Sequence, residues 1–400
     1  MYRLKVALIL SVGVVGLAVG NGWSGMAEKK EMVGLDPRGI AVIANRDSSD
    51  LTLIDLQTDK VVGRIALAEF TNPHMAMMTM DGKKILVSGT GKDQFVIIDV
   101  ATRRIEKVVE TGQGPEHFDI TRDNRFAYVG NMGDSTLSVV DLQKGAETTR
   151  LAGFFEPHGF SVLPDDSKVL VSNFGAHEVG VVKTETTKLA KRLAVGNVQQ
   201  LAAQNPSAFL TDIKGIANPT LTPDGRYAYA ADGDSGEVAV IDTKSEKVIK
   251  KIQVGKEPWR AYASPDGKWM LVPNNGDETV SVIDTTLMAV VTTLKGGPGM
   301  TGVNFANGDK AYIISRGDST LYVYDLKTFN QVNRLKIGAR LALETAATTG
   351  DGMKIYLASS TDDAVYVIET ATDKIKQIPN VGRFPWGVSI LGAGSANYCH

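Results

Sequence analysis

The sequence is poor in cysteine and in histidine. Its 400 residues contain one cysteine, Cys399, so no intrachain disulfide can form. A single cysteine also excludes the C-x-x-C-H attachment site of a c-type haem. The terminal Cys399-His400 pair is set aside as a frayed tail. A large excess of either charge is missing too, with 43 basic and 45 acidic residues. The formal net charge is -2, so there is no basic field to draw nucleic acid. No Gly-x-Ser-x-Gly elbow and no phosphate-cradling glycine loop occurs, which argues against an independent hydrolase.

The one long apolar run lies at the N-terminus. Arg3 and Lys5 precede an uncharged stretch from Val6 to Gly20. That stretch falls short of the roughly 20 residues that span a bilayer. Small residues at Gly25 and Ala27 allow cleavage before Glu28. The expectation is a secretory signal over residues 1–27, a mature domain over 28–400 with no membrane span, and a periplasmic or secreted location. With no disulfide, such a domain must be held by its core and its topology.

Glycine is plentiful at 41 residues, and short β-branched runs recur. One segment repeats as LTLIDL (51–56), FVIIDV (95–100), LSVVDL (137–142), VGVVKT (179–184), VAVIDT (238–243), VSVIDT (280–285), LYVYDL (321–326) and VYVIET (365–370). Successive starts are 44, 42, 42, 59, 42, 41 and 44 residues apart. A period of about 42 residues built from strands is the signature of a β-propeller, one four-stranded blade per unit. The interval of 59 is one period plus an insertion of about 17 residues, near 198–215, and is expected to sit over one face as a lid.

Eight units can be counted. In one of them strands are expected near Arg260–Ser264, Trp269–Val272, Val280–Thr285 and Ala289–Leu294, with a tight turn at Pro265-Asp266-Gly267. The first unit lacks an inner strand, and FPWGVSIL near the C-terminus resembles an orphan one. The fold class expected is therefore all-β, an eight-bladed β-propeller closed by a C-terminal inner strand joining the first blade.

Three of the five histidines fall near one phase of this repeat. Six residues before the turn, the units carry His74, Glu116, His158, Ala217, Trp259, Met300, Glu344 and Trp386, and His117 adjoins Glu116. The start of an inner strand lies at one mouth of the central channel. Imidazole, carboxylate, thioether and indole groups gathered there suit metal ligation and the sandwiching of a flat ligand. His177, in the loop NFGAHE, is expected to be merely solvated. The aspartates that end most third strands, such as Asp55, Asp99 and Asp141, are turn devices.

Repeats such as VSVIDT, VAVIDT and YVGNMGDSTLSVVDL resemble the YVTN-type propeller repeats of secreted and surface proteins, a likeness that covers nearly the whole mature chain. His74 followed by MDGKKILVSGTGK, together with the eight units, resembles the cytochrome d1 haem propeller. That domain occurs in cytochrome cd1 nitrite reductase and in stand-alone propellers of haem d1 biosynthesis. The resemblance implies haem d1 or a related tetrapyrrole as cofactor, with His74 as axial ligand and His117 or His158 facing its other side. Trp259, Met300 and Trp386 would line the site. Arg260, Arg340 and Arg383 would meet its carboxylates. Two departures stand out: there is no C-x-x-C-H, and blades five to eight contain no histidine. Two other readings stay open. One is a zinc or copper site made by His74, Glu116 or His117, and His158. The other is a cofactor-free scaffold that meets a protein partner at its loop face. Glu116 and Glu344 are further candidates for an acid/base pair.

Overall fold

The computed structural model describes residues 36–196, 214–306, 310–338 and 342–393. The expected N-terminal signal, the body of the insertion near 198–215, Arg340 and the Cys399-His400 pair lie outside the described residues. Among the described residues, no helix is long and apolar enough to cross a membrane.

The strands form eight four-stranded sheets, each a blade of one closed ring. Blade 1 is built from both ends of the chain. Pro385–Ile390 pairs antiparallel with Ile40–Asn45, with Ala41 opposite Ile390 and Ile43 opposite Val388. The expected C-terminal closure is therefore present. Blades 2 to 8 follow in chain order, each starting with its innermost strand. In blade 6 the strands are Tyr262–Ala263, Trp269–Asn274, Thr279–Asp284 and Ala289–Lys295. The innermost is shorter than expected, because an isolated bridge from Pro258 to Asn274 replaces its first ladder rungs.

Burial follows position in the blade. Second and third strands are covered on both faces by neighbouring blades, so they are almost continuously apolar, as in KILVSG (Lys84–Gly89) and QFVIID (Gln94–Asp99). Outer strands such as Ile105–Glu110 are largely exposed. The core thus consists of layers between blades. Met75, Met77, Phe95 and Ile97 of blade 2 meet Phe118, Ile120 and Val129 of blade 3. At the closure, Tyr356 and Val367 of blade 8 meet Ala41, Ile43 and Val388 of blade 1. A polar clasp reinforces that seam: the Tyr356 hydroxyl and the Lys354 ammonium donate to Asp59 Oδ1 at 2.5 and 2.7 Å. Those bonds hold the Asp59 carboxyl below its ordinary range against the opposing effect of burial.

One irregularity recurs where it matters. The innermost strands of blades 2, 3, 4 and 8 slip register near their starts, between Pro73 and Ala76, Pro115 and Phe118, Pro157 and Phe160, and Leu343 and Ala346. The residues inside the slip are His74-Met75, Glu116-His117, His158-Gly159 and Glu344-Thr345. A β-bulge bends its strand and re-aims the side chains it carries.

Candidate functional site at the channel mouth

The bulges explain why three histidines from two repeat positions meet. His74 and His158 occupy the first bulge position, and His117 the second. Strict alternation would send His117 away from the other two. Instead the His74 and His117 ring centroids are 4.7 Å apart, and those of His117 and His158 are 4.2 Å apart. All three residues are buried. The rings are in mutual contact and leave no gap as thick as a flat macrocycle between them. A planar ligand would lie over this row, not between its members.

Aromatic walls extend the row at both ends. Trp386 of blade 1 lies 5.5 Å from His74, and Phe384 stacks on Trp386 at 5.8 Å. At the other end, Phe174 lies 5.5 Å and Trp259 6.3 Å from His158. Trp386, His74, His117, His158, Phe174 and Trp259 form a continuous arc. Sequence phase indicated four of these positions, and His117 beside them. It missed Phe174, which belongs to the loop NFGAHE of blade 4.

The tautomer of His158 is fixed by a backbone contact. Its Nδ1 lies 2.9 Å from the carbonyl oxygen of Ala217. A carbonyl only accepts, so Nδ1 carries the proton and Nε2 carries the lone pair. This contact needs the close approach of blades 4 and 5 at Gly159, where a Cβ would stand 2.3 Å from the same oxygen. Burial pushes the His158 pKa down to about 4, the carbonyl bond opposes that, and the positive charge of Arg260 adds to it. The folded pKa is thus below the unfolded value of about 6.5. No stability is lost above that value. As pH falls from about 6.5 toward 4, the unfolded chain takes up a proton that the native state refuses. At pH 4.5 this costs about 2–3 kcal/mol. Urea unfolding at pH 7 and pH 4.5 should show that much less acid loss in His158→Gln than in the wild type.

Charge is arranged around the arc. Arg46, on the loop after Ile40–Asn45, lies over Trp386 at 4.6 Å and donates from Nε to Asn72 Oδ1 at 2.8 Å. Burial lowers its pKa, while Glu116, Asp47 and Glu344 act in the opposite sense. Glu116 is raised by burial, opposed by Arg46 and assisted by Glu156. Glu344 is buried and likewise raised by burial, opposed by Ser360, Arg316 and Arg46. Ser360 Oγ donates to Glu344 Oε1 at 2.6 Å, and Arg316 stands 3.1 Å from the same atom. Arg46 therefore acts electrostatically on two carboxylates that burial disposes toward the neutral form.

The remaining expected residues fall elsewhere. Met300 is part of the core layer between blades 6 and 7. Arg260 is buried beside a cavity of about 380 Å³ that His117 also lines, near enough for its charge to act on His158. Its Nε donates to Thr220 Oγ1 at 3.3 Å. Arg383 is exposed and bonded to the Asp47 carbonyl at 2.9 Å. His74, Glu116 and His117 bring ligand atoms within 4.8 Å of one another, a set in which His117 stands where His158 was expected. The solvated reading of His177 is corrected: the residue is buried, with Nδ1 2.7 Å from Asp232 Oδ2. The loop folds inward over blade 5, where an aspartate replaces the asparagine found in several other blades.

Residues 221–395 match the family of YncE-like β-propellers, and residues 63–154 match that of seven-bladed lactonase β-propellers. The chain is 22% identical over 312 residues to protein NirF of Pseudomonas aeruginosa, which is 74% of each chain. It is 24% identical over 243 residues to YncE of Salmonella typhimurium, which is 57% of this chain and 64% of that protein. Among solved structures, dihydro-haem d1 dehydrogenase NirN in complex with DHE superposes with a TM-score of 0.72 at 17% identity, over 91% of this chain and 78% of that one. Hydrazine synthase of Kuenenia stuttgartiensis gives 0.53 at 19% identity, over 78% and 96%. At such identities the structural likeness speaks for the fold. The chain is an eight-bladed β-propeller, similar over residues 221–395 to YncE-like propellers, and its fold resembles the cytochrome d1 haem domain.

Proposed function

We propose that this protein binds a tetrapyrrole, haem d1 or a precursor, over the histidine row at the channel mouth. It would act in haem d1 maturation or as a cytochrome d1-like protein served by an external electron donor. The basic and apolar start of the chain supports export to the periplasm. The observation that carries the reading is the continuous arc from Trp386 through the three imidazoles to Trp259. Two indoles and a phenyl ring offer apolar area for a macrocycle, and an imidazole is the ligand type that holds its iron. His74 would be its axial ligand. The group would supply the iron chemistry, while the chain binds and orients it. Arg46 is held over Trp386 by its bond to Asn72 and offers a cation for a ligand carboxylate. The similarity to NirF and to NirN supports the same reading.

The test is titration of the purified protein with haemin, followed in the Soret region. Saturation at one equivalent is expected, and no spectral change up to a large excess would sink the idea. Arg46→Gln should weaken binding about tenfold, or about 1.4 kcal/mol, with the bound spectrum unchanged. An altered spectrum would mean that Arg46 acts at the iron instead.

A second reading rests on the 4.8 Å grouping of His74, Glu116 and His117, which would hold a bare zinc or copper ion. It predicts a protein without a Soret band that retains one equivalent of metal, lost in Glu116→Gln.

A further inference from the structure

A second cluster of ligating groups lies between blades 4 and 5, apart from the histidine row. In blades 1, 3 and 6 the second strand ends in Asn45, Asn131 and Asn274. Each donates its Nδ2 to a hydroxyl on the third strand, Thr52, Ser138 or Ser281, at 2.8–3.0 Å. In blade 5 this position holds Asp232, which cannot donate when ionised. Its Oδ1 accepts from the backbone of Asp234 and Ser235, at 3.1 and 2.9 Å. Its Oδ2 faces His177 Nδ1 at 2.7 Å. Asp234 Oδ2 lies 3.8 Å from His177 Nε2 and accepts from Lys214 N at 2.8 Å.

The charges do not balance. Two carboxylates share one imidazole, which contributes at most one positive charge. No lysine or arginine among the described residues forms an ion pair with Asp232 or Asp234; the Lys214 ammonium pairs with Glu257 at 2.7 Å and acts on Asp234 only at longer range. The side chains of His177 and Asp232 are almost fully buried, at 3% and 0% exposure, whereas that of Asp234 keeps 25%. Two carboxylates close to one imidazole repel each other, and a further cation would relieve that. Gly196 adds room: a Cβ there would stand 2.5 Å from Asp232 Oδ2 and 3.0 Å from His177 Cβ. One ligand atom from each of His177, Asp232 and Asp234 lies within 4.8 Å of the others.

We propose that His177, Asp232 and Asp234 form a metal site for a divalent first-row transition ion. One imidazole and two carboxylates suit such an ion, and the partly exposed Asp234 side leaves room for water in its coordination. The ion would sit among one imidazole nitrogen and the two carboxylates and add positive charge beside them. Because His177 comes from blade 4 and both aspartates from blade 5, the ion ties two blades together.

The probe is Co²⁺, added to chelator-stripped protein in equilibrium dialysis with metal analysis. His74→Ala/His117→Ala serves as background, so that the channel mouth does not contribute. One equivalent should be retained there. Adding Asp234→Asn, which keeps the acceptor for Lys214 N, should weaken retention at least tenfold and remove the rise in thermal midpoint that Co²⁺ gives the background. No Co²⁺ in the background, or equal retention with Asp234→Asn, overturns the proposal. If the background does not fold, the comparison is made in the otherwise unaltered chain. There Asp234→Asn must bind one equivalent fewer than the wild type, and an equal number overturns the site.

Discussion

His74→Ala is expected to abolish the Soret change on haemin addition and to weaken binding about 100-fold, or about 3 kcal/mol. The imidazole starts at the first bulge position of the innermost strand of blade 2 and is wedged between Trp386 and His117. An alanine there removes the ligating nitrogen and opens a hole in the arc. The two losses can be separated. His74→Phe restores a ring without a ligand atom, so it should recover part of the affinity but none of the axial-ligand spectrum. His117→Ala should disturb the spectrum less, and His177→Ala should leave it unchanged, since that residue is engaged between blades 4 and 5. A His74→Ala protein with the wild-type bound spectrum would move the axial role to His158, whose lone-pair nitrogen is already set by Ala217.

Removal of the closing strand should have the largest effect on stability. A chain ending at Asn380 loses Val381, Val388 and Ile390, all buried against blades 1 and 8. At about 1.5–3 kcal/mol per buried side chain, plus the unmated backbone of Ile40–Asn45, the deficit is on the order of 10 kcal/mol. That matches the whole net stability of a typical domain, about 5–15 kcal/mol. The Asn45 side chain would also lose its bond to the Val381 carbonyl at 3.1 Å. We expect no cooperative thermal transition and aggregation through the opened edge. Val388→Asp, which buries a charge in the same seam, should produce a weaker form of the same failure. A sharp transition near the wild-type midpoint in the truncated chain would mean that the ring does not depend on this closure.

The blades could be read from sequence because burial imposes a period. Third strands such as VSVIDT repeat because both their faces are covered, and the turns between strands reuse Asp and Gly for backbone reasons. The same logic located the closing strand, since FPWGVSIL matched an inner strand without a sheet. The site was only half legible. Phase placed His74, His158, Trp259 and Trp386 at the mouth. It could not foresee that bulges would bring in His117 from the next position, because a bulge alters the count without altering the pattern. Phe174 and Arg46 lie on loops, where no period constrains them. His177 looked solvated because its loop is polar. Its burial depends on Asp232, 55 residues away and in the next blade.

The central claim is that the arc of imidazoles and indoles holds a tetrapyrrole. It is tested most directly by the absorption spectrum and metal content of the protein purified from its own cell envelope. The account predicts tetrapyrrole absorption with about one equivalent of iron, both lost in His74→Ala. A colourless protein that stays colourless when haemin is added would contradict it.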